Sequence, residues 1–108
     1  MSSEAIERSA ADRIALAFDL DEGAVQAPSD ILAEIRRRLI ERIVELLTRN
    51  PERLMAILYR IDVKESAVNE IMSKSFPTEV PIHLADLIIE RQLAKARSRA
   101  EHRDSSST

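Results

Sequence analysis

DILAEIRRRLIERIVELLTRN, residues 30–50, is the stretch whose reading decides the fold. Large aliphatic side chains recur at Ile31, Leu32, Ile35, Leu39, Ile43, Leu46 and Leu47, spacings of three and four that mark an amphipathic helix. With Ile40 and Val44 they cover an arc of roughly 220° when projected at 100° per residue. A surface helix needs about half that width to face a core. This helix therefore requires neighbours on more than one side, and the rest of the chain is read as its cover.

The composition agrees. The chain has 108 residues, 44% hydrophobic and 32% charged, which suffices for one domain with a core of its own. A single glycine and four prolines leave little material for the turns of a sheet, and Ala, Leu, Ile, Glu and Arg favour helix. With no cysteine, disulfides, thiolate nucleophiles and cysteine-based zinc sites are excluded. No apolar run approaches the length of a membrane span, and MSSEAIERSAAD holds no apolar signal core. The expected location is the cytoplasm. Charge is unevenly spread: in residues 1–27 six acidic against two basic groups leave −4, and in residues 91–108 five basic against two acidic groups leave +3.

Around the central helix, predicted over 28–49, the other elements follow in order. Residues 3–18 form a helix with Ile6, Ala10, Ile14 and Phe18 at spacings of four, expected to dock or to order only against a partner. DLDEGAVQAPS is a linker holding the only glycine. Its Asp19-x-Asp21 mimics the nucleophile motif of aspartyl phosphatases, yet no strand pattern is present to hold it. As a calcium loop it places Gly23 at position 5 rather than 6, which breaks the pattern. A solvated acidic turn is the reading adopted. Ser29 or Asp30 caps the central helix. Asn50-Pro51-Glu52 ends it and starts a second helix, 51–61, buried through Leu54, Ile57, Leu58 and Ile61. Asp62-Val63-Lys64-Glu65 reads as a capping box for a third helix, 63–75. The last helix, 80–101, is apolar nearly all round in its first turns, and Asp104 to Thr108 is a disordered polar tail. Residues 1–27 are thus an N-terminal helix and acidic linker, and 28–103 the helical domain.

Four sets of residues are candidates for function. Ile40, Val44 and Leu47, with Leu84, Leu87 and Ile88, supply more apolar surface than one small domain can cover, and are expected to form a homodimer interface. Arg36, Arg37 and Arg38, with the stripe Arg91, Lys95, Arg99 and Arg103, could contact nucleic acid. Against this, Glu34 and Glu41 lie within a turn of Arg37 and Arg38, and no aromatic residue accompanies the stripe. Arg36 falls inside the apolar arc, so it either snorkels to water, the reading preferred, or pairs with a carboxylate of another helix or subunit. His83, Asp86 and Glu90 share one helix face and are metal-ligand types, but a helical metal centre draws on more than one such helix. The helices at 51–61 and 63–75 also suggest helix-turn-helix. The would-be reading face (Lys64, Glu65, Ser66, Asn69, Glu70, Ser73, Lys74) is near neutral, unlike a phosphate-binding surface. No cofactor motif is present.

Leu58-Tyr59-Arg60-Ile61-Asp62-Val63 and Ala85-Asp86-Leu87-Ile88-Ile89-Glu90-Arg91-Gln92 resemble segments of a group of short, uncharacterised bacterial helical proteins. The resemblance covers roughly residues 40–97. It implies a compact cytoplasmic helical domain and brings no activity with it. The expectation is therefore an all-α bundle acting as a non-enzymatic, self-associating interaction or structural module, open to a protein partner.

Overall fold

The structure, a computed structural model, describes residues 3–20 and 30–106, with side chains described as far as His102. It is all-α: helices α1 (Ser3–Phe18), α2 (Ile31–Arg49), α3 (Pro51–Arg60), α4 (Glu65–Lys74) and α5 (Val80–Ser106), with no strand among the described residues. The wide apolar arc of α2 is covered by α1 and α5, which also pack on each other, and α3. α4 leans on α5. Ile35, Leu39 and Ile43 of α2, Ile14 and Phe18 of α1, Leu54 of α3, and Leu84 and Ile88 of α5 make one fully buried cluster.

α1 is therefore part of the domain and not an appendage to a partner. Its thin apolar content is an asset in this position. α1 and α5, the most extensively packed pair, carry buried alanines on both sides: Ala10, Ala11 and Ala15 on α1, and Ala85, Ala96 and Ala100 on α5. Small side chains let helix axes approach closely, and Ile14 and Phe18 fill the space that remains.

The ends of the helices show how the chain turns with a single glycine. Asn50 Oδ1 accepts from Arg53 N–H at 3.2 Å, while its own N–H donates to the Leu46 carbonyl, so one residue closes α2 and opens α3, with Pro51 at the first helical position. α1 and α3 both end on an aspartate in the left-handed region, Asp19 at φ 56° and Asp62 at φ 62°. Leu20 N–H reaches back to the Ala15 carbonyl at 2.8 Å and Asp19 N–H to Leu16. Val63 N–H reaches Leu58 at 3.1 Å and Asp62 N–H reaches Tyr59. These paired backward bonds are Schellman motifs, which usually place glycine where the two aspartates stand. Aspartate is among the few other residues that tolerate that conformation.

Asp62 is accordingly the terminator of α3 and not the N-cap of α4. α4 begins at Glu65 after Lys64, with no side-chain cap, and the capping box read from the sequence does not form. Asp30 stands at the N-cap of α2 without a side-chain bond. Ser29 and the Asp21 to Gly23 part of the acidic turn lie outside the described residues. α5 runs on to Ser106, past the expected end at 101, because residues 102–106 contain neither glycine nor proline to stop it. Ser107 and Thr108 lie outside the described residues.

Substitutions at two positions test this arrangement by urea denaturation. Phe18→Ala should cost about 3–5 kcal/mol, the price of emptying a buried aromatic site, if α1 belongs to the core. At the corner, Asp62→Ala should cost about 1 kcal/mol and Asp62→Gly less, since glycine alone enters the left-handed region freely. An alanine variant more stable than the glycine variant would contradict the assignment of Asp62.

Candidate interaction surface

The Schellman corner at Asp62 sets α3 and α4 apart, and the two helices make little direct contact. Between them lies a cavity of about 400 Å³ lined by Met55, Leu58, Tyr59, Val63, Glu65, Val68 and Asn69. Leu58, Val63 and Val68 are buried and form its apolar floor. Met55 and Tyr59, one turn apart on α3, stand along one side, and Glu65 and Asn69 of α4 along the other. Tyr59 is 86% exposed. Met72 on α4 and Phe76 in the following turn are also exposed, Phe76 by 73%. Both methionines of the described residues and two of the chain's three aromatics thus sit exposed on this one helical pair and its exit turn. Sequence periodicity could not reveal the groove, because it identifies each helix's buried stripe and not the gap between two helices.

The corner is held from below by α5. Arg91 Nε donates to the Asp62 carbonyl at 3.0 Å, Gln92 Nε2 to the Ile61 carbonyl at 3.0 Å, and Lys95 Nζ lies 3.2 Å from Asp62 Oδ2. Gln92, only 2% exposed, went unnoticed in the sequence; a lone polar residue within an apolar stripe was the available signal. Two members of the suspected nucleic-acid stripe, Arg91 and Lys95, are therefore occupied in fastening α3. Arg99 is partly buried, and the side chain of Arg103 is outside those described.

The arginines of α2 are engaged as well. Arg37 bonds Glu34 at 2.7 Å and Glu41 at 3.0 Å, Arg38 bonds Glu34 at 3.0 Å, and Arg42 bonds Glu45 at 3.2 Å, as the intrahelical spacing predicted for the first two. Arg36 departs from the preferred reading: its guanidinium does not simply reach water but forms a two-pronged pair with Asp86 of α5, at 2.7 and 3.3 Å. The hydrogen bond to Asp86 raises the Arg36 pKa, and that to Glu34 does the same for Arg37. Glu34, receiving hydrogen bonds from Arg37 and Arg38, is held below its ordinary value of 4.5.

With Asp86 committed to Arg36, the His83, Asp86 and Glu90 face does not assemble as a metal centre. His83 Nδ1 faces Ser75 Oγ at 2.8 Å instead. Among the described residues no three histidine, aspartate or glutamate side chains converge as ligands. The residues expected at a dimer interface are also placed differently. Leu84 and Ile88 are wholly buried inside one chain and have no surface to offer a second. Ile40, Leu47 and Leu87 are partly buried against the core, and Val44 retains 47% exposure. The suspected reading face of α4, from Lys64 to Lys74, is exposed, and its Lys74 is paired with Glu70. No helix of the described residues is long and apolar enough to cross a membrane. Comparison with known proteins finds no match among protein families, curated proteins or solved structures.

The Glu34 contacts predict a pH signature. Because folding lowers its pKa, the unfolded chain takes up the proton first as pH falls. Its contribution is complete above the ordinary value of 4.5 and is lost as pH drops through the lower folded-state value. Glu34→Gln should therefore be slightly less stable than the parent chain in urea at about pH 7, with the difference narrowing as pH falls below 4.5 and closing below the folded-state value. A gap that widens in acid would contradict the pairing.

Proposed function

We propose that this chain is a non-enzymatic helical interaction module that self-associates and offers the α3–α4 groove to apolar side chains of a protein partner. The observation that carries the reading is the display of Met55 and Tyr59 beside a buried apolar floor, with Met72 and Phe76 also exposed on α4 and its exit turn. Methionine and aromatic side chains are enriched at the centres of interfaces, and the flexible thioether adapts to differently shaped partners. An apolar groove between two helices is also a common seat for an amphipathic helix. The charged candidates favour this reading over catalysis or nucleic-acid binding, since Arg36, Arg37, Arg38, Arg91, Lys95, His83 and Asp86 each have an intramolecular partner. Surface pairs of this kind can be broken, but a ligand must then replace them, which lowers its affinity.

Leu16, 78% exposed on α1, is a further large apolar side chain on the surface, away from the groove lining. Self-association supplies it with cover. Sedimentation equilibrium over roughly 10 to 500 µM should show the mass rising from 12.2 kDa towards twice that value. A constant 12.2 kDa across the range would remove self-association from the proposal.

A further inference from the structure

Arg37, Arg38 and Arg42 of α2 pair with glutamates of their own helix. Arg13 of α1 and Arg60 of α3 have no such neighbour. Three and four residues from Arg13 stand Ser9, Ala10, Leu16 and Ala17, and before Arg60 stand Ala56 and Ile57. Among the described residues neither guanidinium has an ion-pair partner. Both nevertheless line one cleft, of about 230 Å³, where α1, α5 and the end of α3 meet. Lys95 and Gln92 complete its polar lining, Leu16, Ala17 and Ile61 are its apolar part, and no carboxylate lines it. Lys95 does pair with Asp62, at 3.2 Å, but this uses one of the three donors of an ammonium. The Ile61 and Asp62 carbonyls, at the negative end of α3, are already met by Gln92 and Arg91. Gln92 is 2% exposed, and its amide keeps a second N–H. Three cations gathered on one small depression repel one another, and a bound anion relieves that repulsion.

We infer that this cleft binds a small carboxylate carrying a short aliphatic chain. The carboxylate lies among Arg13, Arg60 and Lys95, and the chain against Leu16, Ala17 and Ile61. An arginine side chain presents a planar fork of donors that matches the two oxygens of a carboxylate. Leu16, 78% exposed, offers apolar surface that a bare inorganic ion would leave in water. A cleft of this size takes a small molecule and not a helix. It shares no lining residue with the α3–α4 groove, so the two sites are separate. Arg13 and Arg60 are exposed, which leaves the head group partly in water and the affinity modest. The site goes beyond the self-association proposed above. A second copy resting on Leu16 would compete with the ligand, so binding is measured at a chain concentration where sedimentation shows a monomer.

Amide NMR of the full chain, titrated with sodium octanoate, tests the site. Shifts should concentrate at residues 13–17, 60–61 and 92–95 and fit a Kd of about 1 mM or tighter. Acetate, which has the head group without the chain, and inorganic phosphate should each bind at least about tenfold more weakly. Arg13→Gln and Arg60→Gln should each weaken octanoate at least about fivefold, and Leu16→Ser should weaken octanoate but not acetate. All three positions are exposed, so thermal unfolding by circular dichroism should stay close to that of the parent. For any variant that unfolds, the map of shifts in the parent chain decides in its place. Shifts centred on the α3–α4 groove, or a Kd unchanged by both arginine substitutions, would overturn the proposal. So would phosphate binding as tightly as octanoate, or no saturation by about 10 mM octanoate.

Discussion

The corner at Asp62 is the constraint on which the arrangement of the other elements depends. Here α3 must stop and the chain must change direction without a glycine. The backbone closes the helix by two backward hydrogen bonds, with aspartate in the left-handed conformation. The last carbonyls of a helix have no partner within it. Gln92 and Arg91 of α5 donate to two carbonyls at this end, and Lys95 pairs with the Asp62 carboxylate. Positive side chains beside a helix C-terminus also complement its dipole. The corner that ends α3 is thus fastened to the middle of α5, and α4 starts from a fixed point. The spacing of the two short helices, and hence the groove, follows from that.

The same corner explains why the groove stays open. Leu58 and Val63 occupy the positions that a Schellman motif commonly brings into apolar contact, and both line the groove floor. With α3 fixed to α5 through its C-terminal carbonyls, α4 packs on α5 and does not close over α3. Met55 and Tyr59 are then left at the margin of a depression whose base is already buried. A partner that fills it gains apolar contact without opening the core, at the cost of ordering flexible methionine and tyrosine side chains.

Charge in this protein is largely matched within the chain. On α2 and across to α5, opposite charges are matched within the chain, and exposed pairs of this kind contribute little stability while removing free cations from the surface.

The helices of this protein were largely determined by the sequence itself. Apolar spacing located α1 to α5, and Asn50-Pro51 located the α2–α3 junction to the residue, because periodicity and capping are local properties. The width of the α2 arc correctly called for several neighbours. Which helices supplied them was decided by tertiary structure. α1 proved to be the missing cover, since alanine, which looks thin in a sequence, packs well where two axes run close. Asp62 followed an N-cap pattern in the sequence but terminates the preceding helix, because Arg91, Gln92 and Lys95, about thirty residues away, stabilise that end. Arg36 met Asp86, and Leu84 and Ile88 were buried, for the same reason: a single helix shows which residues share a face, but not which helix that face will meet.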